Sequence, residues 1–161
     1  MLDFSFNNFT KDKSFSKNFF YKIIGKTLKE LNLDKKNLGI SLNLVGADRI
    51  RRQNKKYLGK DKPTDVLSFP LDEIHSENKG LVLLGDIFIC LLFAKRRAKR
   101  ENVNIKPKMA WLTVHGTLHL LGYDHERSSK ESYKMFLLEN KILKLLNFDR
   151  WFLNLKNIIY V

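Results

Sequence analysis

Apolar and polar positions divide the chain into segments of alternating period. Over residues 16–33 (SKNFFYKIIGKTLKELNL), Phe20, Ile23, Ile24, Leu28 and Leu31 recur at helical spacing near one face, with Ser16 placed to cap the first turn. Gly25 weakens that helix slightly. The period then drops to two: Ile40, Leu42 and Leu44 alternate with Ser41 and Asn43, the pattern of a half-buried strand. Asp48–Leu58 (DRIRRQNKKYL) reads as a strongly basic helix, Gly59 and Pro63 bracket a loop, and VLSF at 66–69 is a short strand closed by Pro70. Residues 71–80 are polar and form an excursion or hairpin loop. Two apolar pieces follow, Leu81–Leu84 and Ile87–Cys90, around Gly85 and Asp86, where a glycine within a strand pattern marks a bulge or a close backbone approach. Ala94–Asn102 is a second basic helix. Pro107 opens another helix, which stops at Gly122. A last amphipathic helix over Lys130–Leu146 carries Tyr133, Met135, Phe136, Leu137 and Leu143, and the apolar tail from Trp151 to Val161 is expected to pack back onto the domain. Helices interleaved with a few strands in 161 residues predict one domain over residues 1–161, of α+β or α/β class.

Composition narrows the partners. Thirty Lys and Arg against seventeen Asp and Glu leave a formal charge of +13, a field that favours polyanions, of which nucleic acid is the commonest in a cytoplasm. No apolar stretch approaches the roughly eighteen residues of a membrane span, and the N-terminus, with Asp3, Asn7 and Asn8, does not read as a signal peptide. A single cysteine, Cys90, rules out an internal disulfide framework and fits a reducing compartment, so a cytoplasmic protein without membrane association is expected.

The chemistry concentrates in HGTLHLLGYDH, His115 to His125, which holds three of the four histidines. His115 and His119 are four apart on a helix, so both side chains face one point. A helix continued to His125 would aim that side chain elsewhere. Gly122 permits the left-handed turn that ends the helix and returns His125 to the same ion. Three histidines leave a tetrahedral zinc one open position, as catalytic sites do. Zinc peptidases with this spacing need a glutamate after the first histidine as general base, and here that position is Gly116. Bound zinc lowers its water's pKa to about 7 without that base, and RNA carries its own nucleophile in the 2′-hydroxyl. Such a site suits phosphodiesters better than peptides.

HGTLHLLGYDH resembles the signature of the YbeY family, bacterial single-strand-specific endoribonucleases of ribosomal RNA maturation. GKDKPTDVLSFP (Gly59–Pro70) and LLGDIFIC (Leu83–Cys90) are similar to two further blocks of that family, in matching order and spacing. The resemblance implies a zincin-like α+β fold, a small mixed sheet packed against several helices. It also implies one Zn²⁺ on His115, His119 and His125, action on the 3′ end of small-subunit rRNA and in ribosome quality control, and association with the small ribosomal subunit. Lys60, Asp61, Thr64, Asp65 and Ser68 match a block that lies near the family's metal cleft. The family's arginine between the tyrosine and glycine of that block is replaced by Leu58, which cannot stabilise charge on a phosphoryl oxygen. Either Arg52, Lys56 or Lys60 reaches the same space, or the protein is a weakened nuclease. The alternative is a non-catalytic RNA-binding ribosome-assembly factor with a structural metal site.

Candidate RNA contacts are Arg52, Lys56, Lys60, Lys62 and Ser68, within basic clusters at 49–62 and 95–100. Tyr57, Phe69 and Tyr123 could stack on bases, though all three serve equally well as core residues. Asp65, Asp86 and Asp124 are the carboxylates nearest the motifs. They are expected to cap strand ends or turns more readily than to orient a ligand histidine. His75 is expected in solvent and Cys90 in the core.

Overall fold

Residues 1–75 and 80–148 are described in the computed structural model. Their elements run β1 (Leu2–Asn8), α1 (Lys17–Glu30), β2 (Leu38–Val45), α2 (Ala47–Leu58), β3 (Val66–Pro70), β4 (Val82–Cys90), α3 (Leu91–Arg100), α4 (Ile105–Leu120) and α5 (Ser129–Leu145). The sheet has the order β1-β2-β4-β3: β1, β2 and β4 are parallel, and β3 runs antiparallel at the edge beside β4. This mixed sheet with five helices is the predicted α+β architecture. The apolar tail from Trp151 and part of the polar excursion lie outside the described residues.

Strand β1 is an element that the hydrophobic pattern above did not assign. Its signal is present, since Leu2, Phe4 and Phe6 alternate with polar residues. It pairs with β2 from Leu38 to Leu44, which makes β2 an inner strand rather than a half-buried one. Leu38, Ile40, Leu42 and Leu44 point into the main core. On the other face, Asn43 is buried with its polar group satisfied: its amide donates to Ser41 Oγ at 2.9 Å, and its carbonyl oxygen accepts from Asn7 Nδ2 at 3.0 Å. Alternation of side-chain type therefore survives in a strand covered on both faces, because the polar residues bond to one another.

The two apolar pieces around Gly85 are one strand. Register shifts between Gly39, opposite Leu83, and Ile40, opposite Gly85, so Leu84 is the extra residue of a bulge. Gly85 sits at φ 135°, and a Cβ there would lie 2.1 Å from the Phe69 carbonyl oxygen, so β3 can approach only because this residue is glycine.

Ser16 caps α1, accepting from the Phe19 amide, and the helix buries Phe20, Ile23, Ile24 and Leu28. Each such side chain contributes about 1.5–3 kcal/mol of transfer free energy. Helix α4 starts two residues before Pro107, with Asn104 at its N-cap, so Pro107 sits in the first turn, where no helical partner is lost. It is apolar on nearly every side and buries eleven residues between the sheet, α1, α3 and α5. In α5 the buried face is Met135, Glu139, Ile142 and Leu143, whereas Tyr133 and Leu137 are exposed. The apolar pattern there misassigned two positions because α5 packs on α1 and α4 along only a narrow stripe.

Candidate metal centre and its cleft

The burial of α4 decides how its histidines are presented. His115 and His119 lie one turn apart, with Nε2 atoms 3.1 Å from each other. Two nitrogens at about 2.0–2.1 Å from a tetrahedral centre are separated by roughly 3.3 Å, so the contact matches two ligands of one ion. After Leu120 the chain makes the predicted left-handed turn: Gly122 has φ 86°, its amide donates to the His119 carbonyl, and the Tyr123 amide donates to the Leu118 carbonyl. That pair of bonds is a Schellman closure. His125 then returns, its ring centre 5.2 Å from each of the other two, and one nitrogen from each histidine falls within 4.8 Å of the others. The donor set fits a zinc-like ion with an open position, three imidazoles lining a cleft.

Metal-ready imidazoles must be neutral, and burial favours that form in His119 and His125. Desolvation first, then the positive His115 and His125 sites nearby, push His119 down to about 4. His125 is lowered as well, again by burial first and by His115 next. Ordinary histidines near pKa 6.5 would be partly protonated close to neutrality.

Glu139 on α5, almost fully buried, lies with Oε1 2.7 Å from His115 Nδ1 and accepts from Trp111 Nε1 through Oε2 at 3.1 Å. A carboxylate at Nδ1 holds the proton there and leaves Nε2 as the free lone pair aimed at the ion. The sequence pattern did not single out this residue; Asp65, Asp86 and Asp124 are the carboxylates nearest the motifs, and they are expected as caps and turn residues. A signal did exist: Glu139 is an acidic residue on the same face as Met135, Ile142 and Leu143, where a buried charge demands a partner.

The three aspartates have other tasks. Asp65 is buried and bonds Arg97 at 2.8 Å, while its backbone carbonyl accepts from the Cys90 amide. Asp124 accepts from the Glu126 amide as a turn residue, and that bond, first among several, lowers its carboxyl pKa. Asp86 sits in β4 opposite Ser41 and Phe69. Cys90 is buried and His75 exposed.

Gly116 explains itself through packing. A Cβ there would meet Ile87 Cγ2 at 2.9 Å and Ser68 Oγ at 3.1 Å, so this position of α4 rests on the sheet. Ser68 also donates to the Gly116 carbonyl at 3.3 Å, tying β3 to α4. A glutamate would have to enter the core, and the peptidase base has no room.

Lys60, Lys62 and Ser68 line the cleft with the three histidines, as do Leu58, Arg97 and Arg100. The loop that carries Lys60 and Lys62 is held by buried Asn54, whose amide donates to the Lys62 carbonyl at 2.8 Å. Arg97 is committed to Asp65 and Glu101, and Glu101 in turn pairs with buried Lys108. Among the described residues no carboxylate lies within salt-bridge distance of Lys60, Lys62 or Arg100, so these keep their charge available. Arg52 and Lys56 lie elsewhere, in a separate shallow pocket with Arg49, Gln53 and Tyr57. Of the three cations considered as substitutes at Leu58, only Lys60 shares the cleft. Tyr57 packs on Phe69 at 4.9 Å and is 56% exposed, while Tyr123 packs against the α4–α5 core.

A sequence model of the family described as Endoribonuclease YbeY matches residues 5–147. The chain is similar to the Endoribonuclease YbeY of Persephonella marina, 43% identical over 133 residues that cover 83% of this chain and 85% of the relative. It is similar to that of Wolbachia pipientis, 39% identical over 150 residues and 93% of each chain. The solution structure of a Thermotoga maritima protein shares the fold, with a TM-score of 0.59 at 23% identity over 92% of this chain and 94% of that one.

Proposed function

The chain belongs to the YbeY endoribonuclease family, and from that premise we propose that residues 1–161 act as one zinc-dependent, single-strand-specific endoribonuclease of the cytoplasm. Its substrate is the 3′ region of small-subunit rRNA, its setting the small ribosomal subunit and ribosome quality control. The observation that supports this most is the convergence of His115, His119 and His125 in a cleft that Lys60, Lys62 and Arg100 also line.

His115, His119 and His125 would hold one zinc ion. When bound, zinc supplies a Lewis acid and a water whose pKa is about 7. Glu139 orients His115, and the low pKa of His119 keeps that ligand deprotonated near neutrality. Lys60 and Lys62 hold the RNA backbone by charge, and Lys60 lines the cleft together with Leu58, the position where the family carries arginine. Gly116 contributes no side-chain base of its own, and the RNA's 2′-hydroxyl or a water would serve as nucleophile.

A second reading, a non-catalytic ribosome-assembly factor, is favoured by Leu58, which lines the cleft 53% exposed where a guanidinium would stabilise the transition state. Cleavage of a labelled single-stranded rRNA 3′ fragment by wild type and by identically prepared His119→Ala separates the two. Cleavage by wild type alone is expected; equal cleavage, or none from either, would select the assembly factor. A 2′,3′-cyclic phosphate on the product would assign the 2′-hydroxyl as nucleophile.

A further inference from the structure

Helix α2 sorts its five cations onto two faces. Arg51 and Lys55 turn to Asp61, which they bond at 2.8 and 2.9 Å. Arg49, Arg52 and Lys56 recur at i, i+3 and i+7, border the shallow pocket outside the metal cleft, and have no carboxylate within salt-bridge distance among the described residues. Two of the three are ordered by rings: the Arg49 guanidinium lies 4.2 Å from the Phe9 ring centre, and Lys56 Nζ lies 4.9 Å from that of Tyr57. A stacked guanidinium keeps its edge N–H groups for phosphate while losing little further freedom on binding.

We propose that this stripe of Arg49, Arg52 and Lys56, with Tyr57, is a second RNA-binding site that holds the strand flanking the segment in the metal cleft. The inference rests on the endoribonuclease reading for its substrate class. Two details favour RNA over an acidic protein. The stripe spans about 10 Å along the helix axis, long enough for successive phosphates of one strand. Tyr57 is largely exposed and braced by Phe69, a platform on which a base can stack. Continuity with the cleft is direct, because Tyr57 borders the α2 pocket and the next residue, Leu58, borders the cleft. A strand crossing that ridge occupies both.

The test compares wild type with Arg49→Gln/Arg52→Gln/Lys56→Gln, all near-surface positions of a helix that glutamine tolerates. Binding to a long single-stranded RNA is measured by anisotropy between low and moderate salt. Cleavage is measured on the long RNA and on an oligonucleotide of about five residues, enough to fill the cleft alone. Loss of three phosphate contacts should flatten the salt slope for long RNA by roughly 2. Affinity at low salt should fall about 10- to 100-fold, and the short substrate should be cleaved within about twofold of wild type. A wild-type salt slope in the triple variant overturns the site, and so does an unchanged RNA affinity coupled to lost binding of an acidic protein such as polyglutamate. If wild type binds long RNA through the stripe yet cleaves nothing, the site stands and the nuclease reading falls. If wild type cleaves and the triple variant binds and cleaves the long RNA normally, the reverse holds.

Discussion

At the scale of single residues, the candidate site is a problem of holding neutral imidazoles in fixed orientation. Glu139 does for His115 what packing alone cannot, since only a hydrogen-bond acceptor at Nδ1 selects the tautomer. Glu139→Gln should therefore weaken zinc binding by about 10- to 100-fold in a chelator competition while circular dichroism stays native. Unchanged affinity would mean that the carboxylate charge is not needed and that a neutral acceptor or the core orients the ring. His119 makes a pH prediction. In the folded, metal-free protein it titrates near 4, against 6.5 for the unfolded chain. The unfolded state thus binds the proton first, and stability falls as pH drops from about 6.5 towards 4. His125, lowered in the same direction, adds to the loss. The urea midpoint of the metal-free protein should decline across that window, and His119→Ala should flatten the decline. A midpoint independent of pH there would contradict the burial argument.

At the scale of elements, three glycines place the pieces. Gly122, at φ 86°, ends α4 and turns the chain so that His125 can return. Gly122→Ala should cost about 1–2 kcal/mol of stability and weaken zinc binding together. Gly85 and Gly116 act by contact. Alanine at Gly85 would place a methyl group 2.1 Å from a backbone oxygen of β3, which has no rotamer in which to escape, so β3 itself must move. Alanine at Gly116 meets the ends of the Ile87 and Ser68 side chains, which can yield. Gly85→Ala should accordingly be the more damaging, by at least about 2 kcal/mol, against about 1–3 kcal/mol for Gly116→Ala at its low end. Thermal melts of the two variants would rank them, and the opposite order would mean that the α4–sheet contact is the stiffer. Much of this was legible: the helices, the bulge glycine and the turn at Gly122 follow from period and from φ preference. Strand β1 was overlooked, and the narrow face of α5 was not legible, because which apolar residues are covered depends on the neighbour that covers them.

At the scale of the whole molecule, the charge of +13 is divided by local pairing. Asp61 neutralises one face of α2, and Asp65 with Glu101 occupies Arg97. Among the described residues, Lys60, Lys62 and Arg100 at the cleft have no carboxylate within salt-bridge distance. Lys60→Gln/Lys62→Gln should lower the salt slope of RNA binding by roughly 1.4 and reduce cleavage of short as well as long RNA. Loss of cleavage on long RNA alone would place these lysines outside the reacting segment. No helix among the described residues is long and apolar enough to cross a membrane.

The sequence by itself determined what depends on local rules. The spacing of four between His115 and His119, a glycine able to turn left-handed before His125, and the absence of a glutamate at 116 were all present in eleven residues. Tertiary structure decided what depends on residues far apart in the chain meeting. It brought Glu139 to His115 across 24 positions, filled the space behind Gly116 with Ile87 and Ser68, and split the basic run at 49–62 between two pockets. A helical period places side chains on a face, but only the packing of that face against its neighbours decides which of them are buried, paired or left facing a partner.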